Sequence, residues 1–457
     1  MRFSIPAISG MVVNALYNTV DRIFIGRAVD EVALGGLSLV MPLMMIAMSF
    51  GMLFGGGSSN MISMRLGQGK RQEAENVLNH CFWLLLLFGL TTQIVQLVFL
   101  DRFLGMLGAQ PGSVSVMYAK RYYRIILLGH PMGVLSFGLS STIRAQGFPT
   151  ISMVTQFLGA GLNFILDPLF VFVFPWGPEG VALATVISQA ATLVWVLSFC
   201  LFNKKAVIRI RFKSFKPSMG IILKIASFGS PQFIMQFIMS GVSLLNNTSM
   251  GWYGADGLGV ANGGDIALSA LNIAGSCMML FMMPIFGIGQ GAQPIIGYNY
   301  GAKKFDRVIQ AYKTAITIAT MISTVGFLIV QLLPHFLVSI FAPRGSPEML
   351  YFAPRVMRTQ TIFLMFTGFQ VLSSQFFVVT GRPKMSIFLS LLRQCLALIP
   401  CILIFGRIWG LYGVIAAAPT ADGFSLCIVS TMIFLEMRKL QVKIKEQDQL
   451  QIAEAGA

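Results

Sequence analysis

Charge is scarce in this sequence. Asp, Glu, Lys and Arg make up 11% of its 457 residues, against roughly a quarter in a soluble domain. A chain this long could fill a large water-soluble core, but it has too little charge to clothe that core in water. This argues against a soluble enzyme or a soluble binding module. Histidine occurs only at His80, His130 and His335, without ligand spacing. The six cysteines, Cys81, Cys200, Cys277, Cys395, Cys401 and Cys427, all lie in or beside apolar segments and lack zinc spacing. They read as packing residues, not as disulfides or a metal centre. Gly55, Gly56 and Gly57 have no following Lys-Ser or Lys-Thr and no preceding strand, so a phosphate loop is excluded. The amino-terminal run passes Pro6 and continues to Gly26 without a small-residue cleavage pattern, so no cleavable signal peptide is expected.

What the chain has instead is apolar length. Hydrophobic residues make up 55% of it, and the mean hydropathy is +0.75. Runs of about 20 apolar residues, enough to cross hydrocarbon, recur at 4–27, 34–64, 76–99, 117–145, 150–174, 179–203, 219–251, 262–298, 306–333, 350–380, 385–405 and 410–435. Short alternating patterns suited to a membrane barrel are absent, so the spans are expected to be helices. The fold class is therefore an all-α polytopic membrane protein with twelve transmembrane helices.

The formal charge of +16 chooses an orientation. Arg65, Lys70 and Arg71 follow the second span. Lys204, Lys205, Arg209, Arg211, Lys213 and Lys216 follow the sixth. Lys303, Lys304 and Arg307 follow the eighth, Arg382 and Lys384 the tenth, and Arg438, Lys439, Lys443 and Lys445 the twelfth. If every span crosses once, all fall on one face, which the positive-inside rule makes cytoplasmic together with both termini. The bias is incomplete, because Arg102, Lys120, Arg121, Arg124, Arg344, Arg355, Arg358 and Arg407 fall on or near the other face. The excess charge reads as topology and contact with anionic lipid, not nucleic-acid binding.

The chain repeats itself at an offset near 234 residues. GGGSSNMISMRLGQGK at 55–70 matches GIGQGAQPIIGYNYGAKK at 287–304, with Gly67 opposite Gly301 and Lys70 opposite Lys304. RAQGFPTIS at 144–152 matches VVTGRPKMS at 378–386, and GPEGVALAT at 177–185 matches GLYGVIAAA at 410–418. Each half holds six spans, so the halves are expected to be parallel repeats flanking a central cleft. The expected division is an amino-terminal lobe 1–203, a basic interlobe loop 204–218, a carboxy-terminal lobe 219–436 and a cytoplasmic tail 437–457. Pro42, Pro131, Pro284 and Pro400 lie inside spans, as helix-shaping residues or hinges.

Of the 17 acids, Asp21 in NALYNTVDRIFIG and Asp167 in GLNFILDPLF are read as the exceptions that lie inside spans. A carboxylate in hydrocarbon is costly and points to an ion site, a proton site or a partner. Asn163 is one helical turn before Asp167, and Thr185 in the next span offers a hydroxyl. Asp21, Asn163, Asp167 and Thr185 together would make an oxygen-rich site suited to sodium. Alternatively, Asp21 pairs with Arg22 and Asp167 is structural. The second half carries amides in place of such acids, and Arg393 lies inside the eleventh span, as a snorkelling or interhelical residue or as a counter-charge. Gln236, Gln370, Arg393 and Met282, the last within MMLFMMP at 278–284, are the candidate lining of a substrate cleft.

These strings, their order and the six-plus-six layout resemble the multidrug and toxic-compound extrusion family over nearly the whole chain, and its bacterial MepA-like branch most. The resemblance implies two six-helix lobes around a V-shaped cleft, and antiport of amphipathic, often cationic, organic compounds against protons or sodium ions. It carries the family's amino-lobe cation site onto Asp21, Asn163, Asp167 and Thr185. No acidic site of the other lobe carries over, since Gln236 and Gln370 stand in the relevant spans. No cofactor is expected beyond the coupling ion, nor any enzyme activity. Location in a bacterial inner membrane and function as a monomer are expected. A flippase for lipid-linked saccharides is the alternative, though it would want a more basic cavity than Arg393 supplies. A channel or structural membrane protein is the reading from another class.

Overall fold

The computed structural model describes residues 5–13, 31–106, 113–174, 176–211, 215–260, 262–341 and 346–455. Every regular element among them is helical. The order is α1 (5–13), α2 (Glu31–Gly51), a π-helical turn (Met52–Gly56), α3 (Gly57–Gly67), α4 (Arg71–Val98), α5 (Leu100–Met106), α6 (Val114–Ala145), α7 (Pro149–Pro168), a second π turn (Leu169–Val173) and α8 (Gly177–Phe202). There follow α9 (Met219–Gly257), α10 (Gly263–Gly301), α11 (Phe305–Leu332), α12 (Pro334–Phe341), α13 (Pro347–Gln360), α14 (Leu364–Val379), α15 (Pro383–Leu391), a third π turn (Leu392–Leu398) and α16 (Ile399–Ala455).

Among the described residues, nine helical stretches are long and apolar enough to cross a membrane, or ten if the pair α13 and α14, bent by 44°, is one span. The last stretch, Pro383–Gln449, holds 67 residues and is broken at Gly410 (φ 58°, ψ −135°), so it supplies the eleventh and twelfth predicted spans. Most of the predicted first span lies outside the described residues.

Packing divides the chain into two compact units. One comprises Met1–Gln236 with Gln293–Ala302, the other Phe237–Ala292 with Lys303–Ala457. In the first, Phe54, Ile62, Leu78, Leu85, Leu139 and Ile143 form a core between α3, α4 and α6. In the second, Val356, Met357, Ile402 and Val414 belong to the corresponding core.

The first unit is drawn tight by glycine. A Cβ on Gly229 of α9 would lie 1.8 Å from the Leu53 carbonyl oxygen, and one on Gly57 2.1 Å from that of Ile225. Gly67 and Gly301 make a reciprocal contact, their missing Cβ atoms facing Tyr298 O at 1.9 Å and Met64 O at 2.1 Å. Only glycine permits backbones this close.

The basic loop after α8 is a strap that is partly buried. Ala206, Ile208 and Ile210 alternate inward, as an extended segment with one buried face does. Ile208 N–H donates to Gln146 Oε1 (3.2 Å), Arg211 N–H to Asn79 Oδ1 (2.8 Å) and Ser218 N–H to His80 Nε2 (2.9 Å). His80 therefore carries its proton on Nδ1, which donates to the Asn76 carbonyl at 2.7 Å. Arg211 also pairs with Glu75 at 2.8 Å.

The internal repeat holds within each half at the level of the backbone. Gly147 (φ 95°) and Gly381 (φ 81°) make the same left-handed turn before Pro149 and Pro383, each at the start of a helix. Gly177 (φ 59°) and Gly410 (φ 58°) likewise share a positive φ. The Ser140–Ser152 hydroxyl pair (2.7 Å) recurs as Ser374–Ser386 (3.0 Å). Where the first half has Gly69 (φ 74°), the second has Lys303 (φ 58°), a left-handed residue that is not glycine.

Two outcomes are expected. Gly67→Val forces a side chain into the Tyr298 carbonyl and should lower the apparent Tm in detergent by several degrees, a cost of about 1–3 kcal/mol. Gly241→Ala, whose Cβ meets nothing within 4 Å, should not. Lys303→Gly removes the left-handed penalty of roughly 1 kcal/mol and should raise the same Tm or leave it level. A fall would show that the Lys303 side chain contributes more than its backbone costs.

Candidate functional site

Two polar clusters are buried within apolar helices, one in each unit. The first is built on α7 and α8. Asn163 and Asp167 are four residues apart, so they share one face of α7. Thr185 meets them from α8, whose start is fixed by the left-handed turn at Gly177. The exposures are 1% for Asn163, 0% for Asp167 and 6% for Thr185, so no bulk water solvates the carboxylate. Asn163 Nδ2 donates to Asp167 Oδ1 (3.2 Å) and to Thr185 Oγ1 (3.4 Å). Thr185 Oγ1 donates to the Val181 carbonyl (3.1 Å).

Pro168 has no N–H to give to the Phe164 carbonyl, and the π turn Leu169–Val173 follows immediately. Interrupted helix beside a buried acid is a recurrent arrangement at membrane ion sites. The structure thus brings together three of the four residues singled out from the sequence. Asp21 lies outside the described residues.

The chemistry of this donor set fits a small hard cation or a proton. The carboxylate, the threonine hydroxyl and an amide that can present its oxygen are hard ligands. With Nδ2 turned inward, the amide solvates a bare carboxylate. Rotated by half a turn, it presents Oδ1, and the same three side chains offer oxygen to an ion or accept from a protonated carboxyl. Among the described residues, no three of His, Cys, Asp and Glu converge as a transition-metal site would require.

The second cluster joins α14, the π turn after α15, and α16. Arg393 Nε donates to Asp422 Oδ1 at 2.7 Å, with side chains 21% and 10% exposed. Gln370, 5% exposed, donates from Nε2 to the Asp422 carbonyl at 2.9 Å. Two of the four cleft candidates, Gln370 and Arg393, are thus brought together through Asp422. Met282 is buried on α10 and offers no hydrogen bond, while Gln236 is half-buried on α9 in the other unit.

Asp422 corrects the sequence reading, which placed intramembrane acids only at Asp21 and Asp167. It lies twelve residues past the break at Gly410, well inside a helix. The signal was present in AAAPTADGFSL, an acid inside the predicted span 410–435.

The comparisons concern the whole chain. The MatE family model matches residues 6–169 and 231–403, once in each half. Multidrug export protein MepA of Staphylococcus aureus (strain MSSA476) is 27% identical over 435 residues, covering 95% of this chain and 92% of that protein. MepA of Staphylococcus haemolyticus is 26% identical over 443 residues, covering 97% and 94%. Among solved structures, an outward-facing multidrug resistance MATE transporter of the MOP superfamily superposes with a TM-score of 0.88 at 26% identity, covering 96% of this chain and 95% of that one. A MOP superfamily transporter from Pyrococcus furiosus, described as having a binding pocket of reverse polarity that suggests a different function, gives 0.89 at 26% identity over 96% and 95%. With both halves matched and the fold shared end to end, the chain belongs to the MatE family, the multidrug and toxic-compound extrusion transporters, in its MepA-like branch.

Proposed function

We propose that this protein is a secondary antiporter that exports amphipathic, cationic organic compounds in exchange for protons or sodium ions by alternating access. The observation that carries the reading is the sealed cluster of Asn163, Asp167 and Thr185 inside a family of exporters. A buried carboxylate with no access to bulk water is stabilised by whatever positive charge reaches it. A conformation that admits the ion is therefore favoured by an inward gradient. An ion that binds one conformation tenfold better shifts the equilibrium by about 1.4 kcal/mol.

In this reading Asp21 completes the site from the first span. The ion enters from outside, binds at Asp21 and Asp167, and weakens the hold on substrate, which leaves outward. The lobes are 1–203 and 219–436, joined by the strap 204–218, with 437–457 as a cytoplasmic tail. Both termini face the cytoplasm, where the basic segments lie, and the monomer is the working unit in the bacterial inner membrane. The names of the MepA relatives support export of drugs, and the scarcity of charge inside the spans supports hydrophobic cargo over a saccharide phosphate.

Proteoliposomes loaded with a fluorescent organic cation and given separate proton and sodium gradients test this directly. Dye movement under one gradient identifies the coupling ion, and Asp167→Asn is expected to reduce it at least tenfold. Unchanged movement in Asp167→Asn would remove the site from the mechanism. Thr185→Val keeps the shape and removes one oxygen. If sodium is the ion, it should raise the sodium concentration for half-maximal exchange about tenfold. If the ion is a proton, exchange should stay near wild-type level.

A further inference from the structure

The export reading leaves the second polar cluster without a task. Arg393 lies ten residues beyond Pro383, and Asp422 twelve beyond Gly410. At about 1.5 Å per residue both sit about halfway along segments that cross roughly 30 Å of hydrocarbon. A structural ion pair at that depth would be expected to use its hydrogen bonds fully, because each unsatisfied charged donor is costly there.

This pair does not. Among the described residues, Arg393 is bonded through Nε alone. Its terminal amino groups have no protein partner, yet neither is sealed off from solvent-sized space. The side chain is 21% exposed. Gln370 Oε1 is buried and without a partner, although its own Nε2 is anchored on Asp422. Arg393 also stands inside the π turn Leu392–Leu398, where the irregular helix re-aims the side chain.

The arrangement has a chemical direction. Asp422 holds Nε and so fixes the plane of the guanidinium. The outer edge, with Nη1 and Nη2, remains as a fork that matches the two oxygens of a carboxylate. Gln370 acts through Asp422, whose main-chain carbonyl accepts from Nε2 at 2.9 Å. The fork is not repeated at the matching positions of the first half, where Gly159 stands opposite Arg393 and Gln189 near Asp422.

Resting on the export reading above, we propose that Arg393, oriented by Asp422, is the residue that anchors the carboxylate of zwitterionic amphiphiles. Asp422 is a positioning residue in this site, and Arg393 the one that touches cargo.

The test uses the full-length protein in detergent, without any gradient, and two dyes. One is a rhodamine with a free carboxylate, the other its methyl ester, which is a permanent cation. Binding is followed by fluorescence anisotropy for the wild type, for Arg393→Lys, which keeps the charge and loses the fork, and for the Arg393→Gln/Asp422→Asn double variant, which leaves no unpaired charge to unfold the helix bundle. The expected result is a fall of about tenfold in the ratio of free-acid to ester affinity in both variants, the size expected for losing charge-assisted hydrogen bonds. Equal losses for both dyes would mark a structural ion pair and overturn the proposal. So would an unchanged ratio, a loss confined to the ester, or a wild type that does not bind the free acid. Because binding is read without transport, a wild type that binds the acid but moves neither dye in proteoliposomes counts against antiport and leaves the anchor standing.

Discussion

Hydrocarbon offers no hydrogen bonds, and every feature described above answers to that. The backbone must bond to itself, so the spans are helices. Where a helix is interrupted, at Pro168, at the three π turns or at Gly410, the freed groups need protein or water around them. Inside the spans Arg393 meets the constraint only in part, through Nε on Asp422. At the segment ends the buried Arg144 is satisfied by the hydroxyls of Ser141 and Ser152, while Arg382 pairs with Glu436 and Arg211 with Glu75.

The repeat supplies the scaffold, and the departures from it supply the chemistry. Helix starts recur with matching dihedrals: Lys70 (φ −87°, ψ 63°) and Lys304 (φ −87°, ψ 69°) precede α4 and α11 in the same way. The left-handed glycines and the serine pairs recur too. The polar clusters inside the spans do not. At the repeat offset the counterparts of Asn163, Asp167 and Thr185 are Ala397, Cys401 and Ala418, none of which carries charge. The second half places its ion pair elsewhere, at Arg393 and Asp422. Two copies of one fold thus hold two different polar clusters, an acid–amide–hydroxyl set suited to a cation and a guanidinium fork suited to an anion.

Glycine sets how closely these helices pack. The four backbone approaches at Gly57, Gly67, Gly229 and Gly301 fall on the first unit's own elements and the ends of α9 and α10 that it includes. Without a hydrophobic drive between helices in lipid, such contacts rely on dispersion and close fit. They are discrete, because a carbonyl seated against glycine has no nearby alternative position of equal fit. Elements of this kind pack in one arrangement or another and do not deform continuously.

The sequence by itself determined the class, the helices and the repeat. Low charge and apolar runs leave hydrocarbon as the only suitable solvent, because these are sums over many residues. The pairing of Asn163 with Asp167 was legible too, since four residues make one turn whatever surrounds it. What only the tertiary structure decided was which distant residues meet. Asp422 lies 29 residues from Arg393, in the next predicted span, and no local pattern joins the two. The strap after α8 read as a solvated basic loop because its lysines and arginines are visible in the sequence. The burial of Ala206, Ile208 and Ile210, by contrast, depends on Gln146, Asn79 and His80 arriving from other helices to take its N–H groups. Periodicity along one helix is a property of the chain, whereas the partner of a buried charge is a property of the fold.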